Sequence, residues 1–210
     1  MFVVKDGYIY VGVTLAITAV VYHYFGLYWA VIPFVLAVYF AYFFRDEIRP
    51  VDEDENIIYS AADGTVMAVE EVFDDEYLNC ECYKITTFLS VFNVHVNRSP
   101  MAGEVTYQQY AVGKFVPAYD KQASFVNERF AMGLDNGRYR IMVIQVAGLL
   151  ARRISNWVSL GHKMEQGERY GMIKFGSSTE IFVPKDIFEP CVKKGDTVVG
   201  GISIMGRIKA

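Results

Sequence analysis

Between Asp6 and Arg45 the chain runs for 38 residues without one Asp, Glu, Lys or Arg. As a single helix, such a stretch would be roughly 57 Å long, nearly twice a hydrocarbon core of about 30 Å. It therefore has to turn back. The natural break is His23-Tyr24-Phe25-Gly26, where glycine relaxes the backbone, leaving arms at residues 8–22 and 27–44. Pro33 is a kink site in the second arm. Each arm is just long enough to span, so both ends fall on one side of a bilayer. Lys5, Arg45 and Arg49 put that side in the cytoplasm by the positive-inside tendency, and Tyr8, Tyr10, Tyr39 and Tyr42 suit an interfacial aromatic belt. A cleaved signal peptide is the competing account of the first arm, but a second apolar arm follows at once and no convincing small-x-small cleavage site is present. A hairpin that dips into the membrane without crossing stays open. His23 is read as an interfacial residue at the hairpin tip rather than a proton-handling group.

Beyond the hairpin the chain is ordinary and mildly acidic. Residues 1–50 hold three basic and three acidic groups, so the whole net charge of −4 lies on residues 51–210. With 210 residues there is room for one domain plus an anchor. The division expected is a membrane-anchoring helical hairpin over residues 1–50 and a β-rich catalytic domain over 51–210. No basic run could neutralise a nucleic-acid backbone, so nucleic acid is not an expected partner. Three cysteines, Cys80, Cys82 and Cys191, form neither a secreted disulfide framework nor a four-ligand zinc set; reduced thiols and no metal are expected.

From about Ile57 the pattern becomes alternating. Residues 57–59 and 64–69 read as short strands around a turn at Ala62-Asp63-Gly64, and 138–146 is a strand entered through Asn136-Gly137. Residues 170–175, 180–183 and 198–204 read as further strands, whereas 148–158 is ambiguous and the one helical possibility. Short strands separated by turns predict a mainly β domain, a small sandwich or partly open barrel, preceded by the apolar helical hairpin. No glycine-rich phosphate loop is present.

Three positions carry candidate chemistry. In Phe92-Asn-Val-His-Val-Asn-Arg-Ser-Pro100, His95 would point away from Val94 and Val96 and towards Asn93 and Asn97, a polar face beside Arg98. On periodicity alone a hydrogen-bonded structural histidine is the better account. Asp63 precedes Gly64 and reads first as a turn residue. Gly176-Ser177 follows an apolar run, and glycine before serine leaves its carbonyl open to attack by the Ser177 hydroxyl if a base withdraws the proton. Such parts belong to a nucleophile, base and orienting acid. His162, in Leu160-Gly-His-Lys163, competes as base but reads as a solvated loop residue.

The order of these pieces resembles the phosphatidylserine decarboxylase family in its short, hairpin-anchored prokaryotic form. The resemblance rests on Phe43-Phe-Arg-Asp46, Ser60-Ala-Ala-Asp-Gly-Thr-Val66, Phe88 to Pro100 with Gly103 and Val105, and Gly171-Met-Ile-Lys-Phe-Gly-Ser177. It implies that Asp63 orients His95, that His95 takes the Ser177 proton, and that Ser177 attacks the carbonyl of Gly176. Elimination then splits the chain into a β chain of residues 1–176 and an α chain of 177–210 that begins with a covalent pyruvoyl group. That pyruvate-type cofactor forms a Schiff base with the serine headgroup and accepts electrons as carbon dioxide leaves, with His95 as the reprotonating acid. The implied setting is the cell membrane, with the catalytic domain on the cytoplasmic side, a phospholipid substrate and an α/β heterodimer; a higher homo-oligomer is left open. Arg98 is a candidate for the lipid phosphate or carboxylate. Glu47, Ala61, Ser178 and Phe92 depart from the family's usual residues, which touches headgroup contacts and the reprotonating acid but not the maturation set. The alternatives are an archaeal ether lipid with a serine headgroup as substrate, and a membrane-tethered β module that never matures.

Overall fold

The computed structural model describes residues 1–113, 127–148, 153–174 and 177–209. It divides into two compact units, Met1–Ile48 and Arg49–Ala210. In the first, β1 (Phe2–Val3) leads into α1 (Lys5–Phe25), Gly26 turns the chain, and α2 (Leu27–Phe43) returns to β2 (Arg45–Asp46), which pairs with β1. Gly26 takes φ of 81°, a conformation side chains disfavour, so the residue expected to relax the turn sits where it must. The helices meet through small residues: Gly7, Thr14, Ala30 and Ala37 are buried, and a Cβ on Gly7 would lie 2.4 Å from that of Phe44. Their outer faces expose Ile9, Val13, Ile17, Ile32 and Val35. Within α1 the hydroxyls of Thr14 and Thr18 donate back to the carbonyls of Tyr10 and Thr14, so neither is left unsatisfied in an apolar medium. By length and composition α1 can cross a membrane; α2, with 17 residues, is shorter and accommodates Pro33.

The second unit is mainly β. In chain order it contains β3 (Ile57–Tyr59), β4 (Gly64–Asp74), β5 (Cys80–Leu89), β6 (Val96–Arg98), β7 (Gly103–Ala111), β8 (Arg129–Asp135), β9 (Arg140–Ala147) and β10 (Ile154–Asn156). There follow β11 (Lys163–Met164), β12 (Arg169–Ile173), β13 (Ser177–Pro184), β14 (Phe188–Pro190), β15 (Thr197–Val198) and β16 (Ile204–Ile208). Eight strands form one antiparallel sheet in the order β11-β7-β8-β9-β13-β5-β4-β15, curled into a half-barrel. Two three-stranded sheets, β10-β12-β6 and β14-β16-β3, complete the unit. This is the mainly β, partly open architecture the alternation predicts. Residues 198–204 are not one strand, because the chain turns between β15 and β16, and the described part of the ambiguous 148–158 segment is the strand β10.

Strand alternation gives the large sheet two different faces. One carries Ile85, Ile181, Val143, Met132 and Leu134, which join Ile58, Phe188 and Met205 in the main core. The other carries Cys82, Phe182, Met142, Ile144 and Ala131 in a second cluster with Leu78. Both faces of β9 and β13 are therefore buried, which is why their sequences read as nearly continuous apolar runs rather than as strict alternation. The three cysteines are free thiols, and burial raises the Cys82 pKa. At Gly64 the sheet leaves no room: a Cβ there would lie 2.0 Å from the carbonyl oxygen of Phe88 on β5. Gly64→Ala is expected to cost at least about 2 kcal/mol, because backbone rather than a pliable side chain must yield. A thermal melt checks this; an unchanged midpoint would contradict it.

Candidate active site

Ser177 opens β13 at the end of the large sheet, its Cα paired with Ala147 on β9 and with Leu89 on β5. It is fully buried, and its Oγ has no hydrogen-bond partner among the described residues. A buried hydroxyl without a partner forfeits its hydration for nothing, so its position needs a reason other than stability. Thr179, the next residue on that face, pairs with Gln145. Gln145 sits in the otherwise apolar β9 and faces the gap under the sheet β10-β12-β6. Its Nε2 donates to Oδ1 of Asn97 on β6, 2.6 Å away. Gly171, opposite Asn97 on β12, makes this contact feasible: a Cβ there would come within 3.4 Å of the Gln145 amide and 2.5 Å of the Ser155 carbonyl.

His95 immediately precedes β6, and its carbonyl accepts the N–H of Ile173, which carries the β12 pairing one step further. Alternation along β6 turns His95 and Asn97 to the same side, towards the large sheet. Ile173 packs on Ala147, the residue paired with Ser177. Two independent registers thus bring His95 and Ser177 to the same end of the gap between sheets. His95 is fully buried, and its Nδ1 lies 3.0 Å from the carbonyl oxygen of Asn93. A carbonyl only accepts, so the neutral ring must carry its proton on Nδ1, which leaves the lone pair on Nε2. The ring is held in the tautomer a general base at Nε2 requires.

Asp63 is engaged by residues on both sides of it in the chain. Its two oxygens are held by the Arg49 guanidinium at 2.6 and 2.8 Å, and Oδ1 also accepts the Gly200 N–H. Arg49 donates in addition to the Gly200 carbonyl. Asp63 therefore ties residues 49, 63 and 200 together, and the Asn93 carbonyl, not the Asp63 carboxylate, bonds Nδ1 of His95. The physical reason is charge: a carboxylate with side-chain exposure of 14% beside a guanidinium with 5% satisfies itself first by a bidentate ion pair. Arg49→Leu is expected to lower stability by about 2–4 kcal/mol, since it strands a largely buried carboxylate; a denaturant titration checks it.

Arg98 is buried, donates to the Gly167 carbonyl, and by alternation points to the side of β6 opposite Asn97. His162 pairs with Glu168 at 2.9 Å on an exposed turn. Gly176 lies outside the described residues. Sequence reasoning passed over Gln145 and over Glu128, a buried carboxylate that accepts the Ile154 N–H and, after burial, helps push the Tyr110 hydroxyl up to about 12. Gln145 was detectable, as a lone amide on the core face of an apolar strand.

A half-open β domain with a buried serine and a tautomer-fixed histidine frames the site, and comparison with known proteins places the chain among the decarboxylases. The chain belongs to the phosphatidylserine decarboxylase family, whose model matches residues 36–206. It is 43% identical over 208 residues to a phosphatidylserine decarboxylase proenzyme from Carboxydothermus hydrogenoformans, covering 98% of this chain and 96% of that one. A proenzyme of the same description from Symbiobacterium thermophilum is 43% identical, with 98% and 95% covered. One from Ralstonia nicotianae is 38% identical, with 98% and 95% covered.

Proposed function

We propose that the chain is a proenzyme that cleaves itself between Gly176 and Ser177, leaving a β chain of residues 1–176 and an α chain of 177–210 headed by a pyruvoyl group. The mature form decarboxylates phosphatidylserine to phosphatidylethanolamine and carbon dioxide. The observation that carries this reading is the Ser177 hydroxyl, buried without a partner at the sheet end that the β6 register assigns to His95. That site fits a prosthetic group made from Ser177 itself, since no hydrogen bond among the described residues is lost with the hydroxyl. Once formed, the group supplies an electron sink for the departing carboxylate.

The protein's own residues do the rest. His95, with Nδ1 bonded to Asn93, offers Nε2 to take the Ser177 proton, and the same nitrogen is the candidate donor for the later reprotonation. Core packing of Ile173 on Ala147, the residue paired with Ser177, keeps bulk water from the Ser177 side chain. The apolar hairpin supports attachment to the cell membrane, and Lys5, Arg45 and Arg49 support a cytoplasmic catalytic domain. The chain's similarity to phosphatidylserine decarboxylase proenzymes favours a phosphatidylserine substrate over an ether lipid.

Intact mass and Edman sequencing of detergent-purified protein test the reading. Two chains meeting at 176/177 are expected, the shorter one blocked at its N-terminus. An unbroken chain that still releases carbon dioxide from serine lipids would overturn it.

A further inference from the structure

The amide pair Gln145–Asn97 has no place in the mechanism so far. Both residues are fully buried, and they bond each other across the gap between the large sheet and β6. That single bond leaves Nδ2 of Asn97 and Oε1 of Gln145 without partners among the described residues. Exchanging nitrogen and oxygen on both side chains would preserve the bond but pass the spare donor to Gln145; the arrangement in the structure gives it to Asn97. An unsatisfied buried amide is costly and weakens the fold, yet this one lies next to a second orphan, the Ser177 hydroxyl. Gln145 pairs with Thr179, and Ser177 is the next residue along β13 on the same face, a diagonal neighbour about 7–8 Å away by Cα. Along β6, Asn97 stands over the Gln145 row and His95 over the Ala147 row. Ser177 is thus flanked by a base on one side and by an idle amide donor on the other.

We propose that Asn97 is the hydrogen-bond donor for the negative oxygen that forms when Ser177 attacks, and that Gln145 is the positioning residue that holds its carboxamide. The inference rests on self-cleavage at Ser177. In the step concerned, Oγ gives its proton to the base and bonds the carbonyl carbon of residue 176, whose π pair moves onto the carbonyl oxygen. Collapse of that adduct breaks the C–N bond, and the Ser177 nitrogen takes up the proton, leaving an ester and a free amine. Charge builds on one oxygen beside Oγ, and a preorganised amide donor in a buried gap stabilises it without reorganising. An ordinary structural asparagine would have both ends of its amide bonded.

The test follows cleavage rather than decarboxylation. Freshly synthesised full-length chain in detergent is sampled over time on denaturing gels, with and without hydroxylamine, which cuts esters. Asn97→Asp is nearly isosteric and keeps an acceptor for Gln145 but offers no donor. It is expected to slow cleavage about 100- to 1000-fold, and hydroxylamine should not restore the rate, because the ester itself is not made. Gln145→Met, which fills the same space and leaves Asn97 in place, should slow cleavage about tenfold by loosening the donor. Cleavage of either variant at the wild-type rate overturns the proposal. So does slowed cleavage of Asn97→Asp that hydroxylamine rescues, which would move the defect to a later step. Should Asn97→Asp fail to fold, Gln145→Met decides alone. A wild-type chain that never splits would instead remove the underlying reading.

Discussion

Ser177→Ala is expected to leave the chain in one piece and to abolish decarboxylation, by at least about 10⁴-fold. On the proposed reading both losses have one origin, since the residue would be at once the attacking group in maturation and the source of the prosthetic group. What makes the experiment clean is the environment of Oγ. With no partner among the described residues, the hydroxyl contributes no hydrogen bond there, and alanine keeps the Cβ that packs beside Ala147 and Leu89. Stability should therefore change by less than about 1 kcal/mol, and a thermal melt matching wild type would show that the loss is chemical. A cleaved, active Ser177→Ala chain would remove the pyruvoyl reading outright.

The second large effect is at His95. His95→Ala is expected to block maturation, and His95→Asn separates base from brace. The asparagine amide can take the place of Nδ1 and donate to the Asn93 carbonyl, but it has no lone pair to replace Nε2. If the ring acts as base, His95→Asn slows self-cleavage about 10²–10⁴-fold while folding normally. Prompt processing of His95→Asn, followed on denaturing gels, would show the base to be misassigned. A variant that folds poorly but cleaves at once would make His95 the structural histidine that its periodicity alone favours.

Much of the architecture was legible in the chain because its signals are local. A run of 38 uncharged residues interrupted by Gly26 can only be apolar helices that turn back, and the turn falls at Gly26, between α1 and α2. Asn136-Gly137 demanded a tight connection, and Gly137 has φ of 82° between β8 and β9. The less legible strands were β5, β7 and β8: Glu81, Lys84, Thr86 and Thr87 dilute the apolar pattern of β5, which the pairing partners β4 and β13 nonetheless fix in place. Residues 198–204 misled because the β-branched Val198, Val199, Ile202 and Ile204 outweighed Gly200-Gly201, the turn signal that divides the run.

The candidate site divides in the same way. That Ser177 follows a glycine, and that His95 shares a strand side with Asn97, could be read from order and period, since both are properties of neighbours a few bonds apart. Which charged group Asp63 would meet could not. Arg49 lies 14 residues before it and Gly200 lies 137 after, and only the folded chain lets a guanidinium reach the carboxylate. The Gln145–Asn97 bond spans 48 residues and joins two different sheets, so neither amide announces the other. Local sterics and hydrophobic period act through the backbone and leave a record in the residues themselves. Ion pairs and buried hydrogen bonds depend on where distant segments come to rest, and tertiary packing alone decides that.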